Sequence, residues 1–139
     1  MPIHPVGPLT PAVHPSAFVH AGAWVLGDVH LGEESSAWPT AVLRGDAGRI
    51  SIGARTNLQD GAIAHATTGV STTTIGVECT VGHRVILHGC TVGNRCLIGM
   101  GAVVMDNVVL GDECFGPEEL ELIARGWKGY VELAKRHRA

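Results

Sequence analysis

His65, His83 and His88 are the residues of this chain whose type and spacing could do chemistry. His83 and His88 lie five apart in the stretch Val81-Gly82-His83-Arg84-Val85-Ile86-Leu87-His88-Gly89-Cys90, and His65 lies eighteen before His83. Eighteen is three hexapeptides, one full coil of a parallel β-helix. The spacing therefore predicts that His65 and His83 take equivalent positions on neighbouring coils, about 4.8 Å apart. Three neutral imidazoles with few charged neighbours are a donor set for Zn2+, and three protein ligands leave a fourth position open, as in catalytic rather than structural zinc. The same donors suit Fe2+ or Co2+. The competing reading is three unrelated surface histidines on a repeat scaffold, and it weakens when they are set beside the motifs described below.

The elements that must position these side chains show in the aliphatic pattern. A small or aliphatic residue recurs every six positions at Val13, Val19, Val25, Leu31, Ala37 and Leu43, and again at Val92, Ile98, Val104 and Leu110. A six-residue period with turn residues between the aliphatics predicts short flat strands, three to a triangular coil. A helix would show a 3.6-residue period, and a meander would show longer alternating runs. The expected fold is an all-β solenoid, a parallel β-helix in which each coil buries its face against the next.

Residues 1–12, with Pro2, Pro5, Pro8 and Pro11, read as an N-terminal entry segment that excludes a regular helix or central strand. Residues 13–115 form the expected β-helix. Residues 116–139 read as a C-terminal α-helix, with Pro117 at its first position, Glu118 and Glu119 in the first turn, and Lys135, Arg136 and Arg138 at its end. Its apolar stripe is Leu120, Ile123, Trp127, Val131 and Ala134.

The period breaks three times. Leu43 to Ile52 spans nine residues, so Arg44–Arg49 contains a three-residue bulge. Leu58 to Ile75 spans seventeen, with the polar loop 66–74 in place of a repeat. Leu87 to Val92 spans five, a deletion directly after His88. Loops on a rigid frame are where sites are built, and all three breaks adjoin the candidate residues.

Composition narrows the function. A formal charge of −3 without basic clusters before the terminus gives no support to nucleic-acid binding. No apolar run is long enough for a membrane span, and no basic start precedes an apolar stretch, so a cytoplasmic location is expected. Cys79, Cys96 and Cys114 are 17 and then 18 apart, which predicts an inward column of reduced thiols. Cys90 is separate, and no C-x-x-C pair suggests a zinc cluster.

Arg44-Gly45-Asp46, Asn57-Leu58-Gln59-Asp60-Gly61, His65, and Gly82-His83 with Leu87-His88-Gly89-Cys90 stand in an order and spacing that resemble the γ-class carbonic anhydrases. The resemblance covers nearly all of residues 3–114 and continues into the terminal helix. It implies a left-handed winding, a homotrimer, and zinc held at subunit interfaces. His65 and His88 would come from one chain and His83 from its neighbour. Arg44, Asp46 and Asp60 would form ion pairs that hold the interface and orient the site. Gln59, with Asn57 beside it, would hydrogen-bond the metal-bound hydroxide that attacks CO2 to give bicarbonate, a hydro-lyase reaction. Asn57 and Gln59 also fit an inward amide ladder that satisfies turn backbone. The chain departs from the family pattern in three places. Ala47 stands where the best-studied members carry Glu, loop 66–74 has no carboxylate, and about one coil before the terminal helix is missing. Two alternatives stay open: a metal-bearing assembly or binding subunit without turnover, which the missing carboxylates favour, and an acyl-CoA thioesterase on the same scaffold, which fold analogy alone supports. The apolar helix stripe is expected to cap either the open coil end or the side of a neighbouring subunit.

Overall fold

The computed structural model describes residues 2–113 and 117–138, with side chains of the last segment described from 123 onward. The chain winds as a left-handed parallel β-helix of about five turns, followed by one helix. In chain order the strands are β1 (Ile3–His4), β2 (Ala12–Val13), β3 (Phe18–Val19), β4 (Trp24–Leu31), β5 (Ser36–Ala37), β6 (Val42–Ile52), β7 (Asn57–Leu58) and β8 (Ile63–His65). They continue as β9 (Thr73–Ile75), β10 (Thr80–Val81), β11 (Ile86–His88), β12 (Thr91–Val92), β13 (Leu97–Ile98), β14 (Val103–Val104) and β15 (Val109–Leu110), and α1 is Pro117–Arg138.

Every sixth residue points inward, as the period requires. On the first face Val25, Leu43, Ala64, Leu87 and Val104 are register partners on successive coils, all buried. Ala37, Leu58, Val81 and Ile98 form the corresponding column of the β3-β5-β7-β10-β13 face. Leu31, Ile52, Ile75 and Val92 form that of the third face. The proline-rich opening adds β1 as an edge strand beside Val25 and Leu26.

The three breaks lie where the period fails, and each changes a coil length. Gly27 pairs with Gly45 but Val29 with Ile50, so the bulge opposite Asp28 is absorbed inside β6. The coil from Asn57 to Thr80 is lengthened by the loop before β9, and the coil from Leu87 to Val104 is one residue short of eighteen. The corners survive these changes. Glu34, Arg55, Glu78, Arg95 and Glu113 all take positive φ and follow one another by one coil, alternating in charge. Arg55 reaches Glu78 at 2.9 Å, and Arg95 pairs with Glu113.

Cys79 and Cys96 stack inward and are buried, with Sγ of Cys79 3.1 Å from Gly93 O and Sγ of Cys96 3.2 Å from Gly111 O. Burial pushes the Cys79 thiol up. Cys114, expected to continue that column, and the expected helix start at Gly116 lie outside the described residues.

The helix corrects one expectation. It lies along its own chain's β3, β5 and β10 rather than over the coil end. Ala134, Tyr130 and Leu133 pack on Phe18 and Trp38, and the His137 ring lies 5.2 Å from that of Trp38. The reason is chemical: Phe18 and Trp38 give the apolar stripe a side wall. Arg138 donates to the carbonyls of Pro15 and Ala17, so this basic end serves docking. Among the described residues no helix is long and apolar enough to cross a membrane.

Leu87 is fully buried between the inward residues of two neighbouring coils. Leu87→Ala is expected to cost about 2–5 kcal/mol. Chemical denaturation should show a lowered midpoint at unchanged slope, because the fold itself is retained.

Candidate metal centre

β8 and β11 deliver two of the three histidines. Each strand reads outward, inward, outward: Ile63, Ala64, His65 on β8, and Ile86, Leu87, His88 on β11. His65 is the register partner of His88. The expected stacking of His65 on His83 is therefore wrong. Loop 66–72 lies within that coil and lengthens it beyond eighteen residues, so the residue above His65 is His88. His83 instead follows Asp60 by one coil, at the next corner, where its carbonyl accepts from Gly101 N.

The two imidazoles meet edge to face, with ring centroids 5.2 Å apart, and His65 Nδ1 lies 3.2 Å from His88 Nε2. The other nitrogen of His65 is engaged. Its Nε2 is 3.1 Å from Asp46 Oδ1, and Arg44 Nη1 donates to Asp46 Oδ2 at 3.0 Å. An ionised carboxylate only accepts, so Asp46 takes the Nε2–H of His65 and leaves a lone pair on Nδ1. Partial burial acts to raise the Asp46 carboxyl, but the His65 hydrogen bond and the Arg44 charge outweigh it and hold the group below its ordinary value. Two imidazole nitrogens on one tetrahedral zinc, each about 2.0–2.1 Å from the ion, are about 3.3 Å apart. The separation found here fits that edge, and so do the donor types.

His83 has its own carboxylate, with Nδ1 3.2 Å from Asp60 Oδ2. Among the described residues no group of three or more potential metal ligands closes within one chain. Asn57 and Gln59 are buried and linked. Asn57 Nδ2 donates to Cys79 O at 3.3 Å and to Thr80 Oγ1 at 3.1 Å. A backbone carbonyl can only accept, which orients the Asn57 amide and turns its Oδ1 towards Gln59 Nε2 at 3.2 Å. Of the residues expected here, the structure thus joins Arg44, Asp46, His65 and His88 in one cluster, Asp60 with His83 in a second, and Asn57 with Gln59 in a third.

One residue was missed. Asp106 Oδ2 lies 3.4 Å from His88 Nδ1, and the carboxylate also accepts from Ser71 Oγ and, at 3.2 Å, from Thr67 Oγ1. The Ser71 hydrogen bond, with that of Thr67 and the neighbouring His88, holds the Asp106 carboxyl below its ordinary value. Asp106 follows Gly89 by seventeen residues, the length of that shortened coil. It is also the one carboxylate between Glu78 and Asp112. That spacing was the available signal. Loop 66–74, which carries no carboxylate of its own, receives one in space from the second coil after it. A cleft of about 500 Å³ runs between Ala47, this loop and Gly89, and among the described residues no charged side chain lines it.

No family model matches the chain. YrdA of Escherichia coli is 43% identical over 110 residues, which cover 75% of this chain and 60% of that protein. CaiE, the carnitine operon protein of Escherichia coli, is 41% identical over 121 residues, covering 87% and 61%. Gamma carbonic anhydrase 1 of Arabidopsis thaliana mitochondria is 46% identical over 105 residues, covering 72% and 38%. This chain therefore spans about 60% of the length of YrdA and CaiE, and less of the plant protein. Among solved structures, a hexapeptide transferase family protein from Anaplasma phagocytophilum matches with TM-score 0.77 at 27% identity, covering 96% of both chains. An acetyltransferase-like protein of Bacillus cereus matches with TM-score 0.84 at 28% identity, covering 97% of this chain and 95% of that one.

The lowered Asp46 carboxyl sets an acid limit. Its folded value lies below the ordinary 3.8, so the stability it contributes is complete above 3.8 and is lost as pH falls through the folded value. Asp46→Asn is expected to cost at most about 1 kcal/mol at this exposure. Thermal melts should show the gap from wild type constant at higher pH and closing below 3.8.

Proposed function

We propose that this hexapeptide-repeat β-helix protein, whose homologues include a γ carbonic anhydrase, acts as a homotrimer that holds zinc between subunits and hydrates CO2 reversibly to bicarbonate. The observation that carries the reading is the 3.2 Å approach of two imidazole nitrogens, one of them with its outer N–H taken by Asp46. His65 and His88 would supply two ligands from one chain, and His83, held by Asp60 at the next corner, the third from a neighbouring copy. When bound, zinc supplies Lewis-acid activation of water near neutral pH.

The remaining roles belong to the chain's own groups. Asp46 and Asp60 aim His65 and His83, and Arg44 holds Asp46 in place. Gln59 donates to Asn57, which leaves its carbonyl oxygen to accept a hydrogen bond from the reacting water. Trimer assembly has a surface to use. Trp24, Val42, Ile63, Ile86 and Val103 form an outward apolar column on the face that also presents His65 and His88. Trp24 is 49% exposed and Val103 57%, the kind of aligned apolar strip that marks an association surface.

A second reading, a metal-bearing assembly or binding subunit without turnover, is favoured by one observation: among the described residues, the cleft between Ala47, loop 66–74 and Gly89 has no charged lining to carry a proton away. Acyl-CoA hydrolysis draws only on the likeness to transferase-family structures.

Native mass spectrometry of the purified chain is expected to show three chains with up to three zinc ions. CO2 hydration should then be chelator-sensitive. Substitutions around metal ligands already cost about 10–100-fold, so His88→Ala should lower hydration by more than about 100-fold. A metallated trimer inactive towards CO2 would leave the non-catalytic reading, unless acyl-CoA assays release free thiol. A metal-free monomer would sink both metal-based readings.

A further inference from the structure

His65 and His88 face each other in a geometry that two different arrangements of protons would satisfy. If His88 carried its proton on Nε2, it would donate to the lone pair on His65 Nδ1 and the pair would be closed by a simple hydrogen bond. If it carried the proton on Nδ1, both inner nitrogens would be lone pairs and the pair would be an open chelate. The group that decides between them must act at His88 Nδ1. That nitrogen is buried and has no partner in good hydrogen-bond geometry among the described residues; the Asp106 carboxylate, at 3.4 Å, is the group that approaches it.

We infer that Asp106 is a positioning residue for His88, holding its imidazole as the Nδ1–H tautomer so that Nε2 presents a lone pair beside His65 Nδ1. This rests on the reading of His65 and His88 as metal ligands. A carboxylate accepts and cannot donate, so beside it Nδ1 must carry the proton. Metal-bound histidines are held in this way by a carboxylate on the far ring nitrogen. The carboxylate is itself placed, by hydroxyls from Ser71 and Thr67 across loop 66–72. The chain also makes room for it. Gly89 has φ +73°, and a Cβ there would stand 2.1 Å from both Asp106 Oδ1 and Ser71 Oγ. With Asp46 on His65 and Asp60 on His83, Asp106 gives every candidate ligand its own carboxylate.

The competing role is a strut that only ties the loop to the coil two further on, and the test separates the two. Nitrogen-15 NMR of the metal-free full chain, with the rings neutral, should show wild-type His88 protonated on Nδ1. In Asp106→Asn, whose amide can donate to Nδ1, the proton should move to Nε2. Zinc affinity, read by competition with a chromophoric chelator, should fall about 10–100-fold in Asp106→Asn. Thr67→Ala, which removes one hydroxyl tie and keeps the carboxylate, should leave the tautomer unchanged. A wild-type His88 protonated on Nε2, or an Asp106→Asn variant with wild-type tautomer and affinity, overturns the inference. Should Asp106→Asn not fold, the wild-type spectrum alone decides. Wild type that takes up no zinc would overturn the metal reading, while the tautomer would still judge Asp106.

Discussion

Backbone pairing between successive coils is the constraint on which the rest of the molecule depends. Each short strand bonds to the strand one coil before and one coil after, and its inward residue packs on the same column. An extra or missing residue therefore cannot be taken up within a strand without turning the column outward. Every length change must be expelled into a bulge or loop. The bulge at Arg44–Arg49 and loop 66–72 are such expulsions, and both flank the histidine pair. The rigid inner columns hold the frame while the expelled segments supply Asp46, Ser71 and Thr67.

Electrostatics at the site follow one scheme. Each of the three histidines has a carboxylate on one ring nitrogen, at 3.1, 3.2 and 3.4 Å. Each carboxylate lies on a coil next to that of its histidine, so the scheme depends on coil stacking and not on any local motif. Away from the site, charges serve the frame: the corner column of Glu34, Arg55, Glu78, Arg95 and Glu113 alternates in sign where the backbone is turned into the left-handed region. The terminal helix serves it too, through an aromatic seat on Phe18 and Trp38 rather than through the coil end.

The likeness to solved transferase-family structures supports the fold, and YrdA, CaiE and a γ carbonic anhydrase resemble most of the chain in sequence. Similar chains thus include a carbonic anhydrase and transferase-family proteins, so the chemistry must be argued from side chains. Here the side chains set imidazoles outward, carboxylates within 3.2 Å of two of them, and an exposed apolar column on the face of His65 and His88.

The fold was legible because its cause is local. A residue's inward or outward direction depends on its place in a six-residue period, so Val25, Leu43, Leu87 and Val104 could be assigned to the core from the sequence alone, and Cys79 and Cys96 to a stacked column. The three register breaks were legible for the same reason. What stands above what is not local, because it depends on the total length of everything in between. Counting eighteen from His65 pointed to His83, but the inserted loop had already lengthened that coil, and the neighbour is His88. The same sum, run through the shortened coil after His88, carries Asp106 over Gly89. The sequence by itself determined which residues face outward to do chemistry; the stacking of unequal coils decided which of them meet.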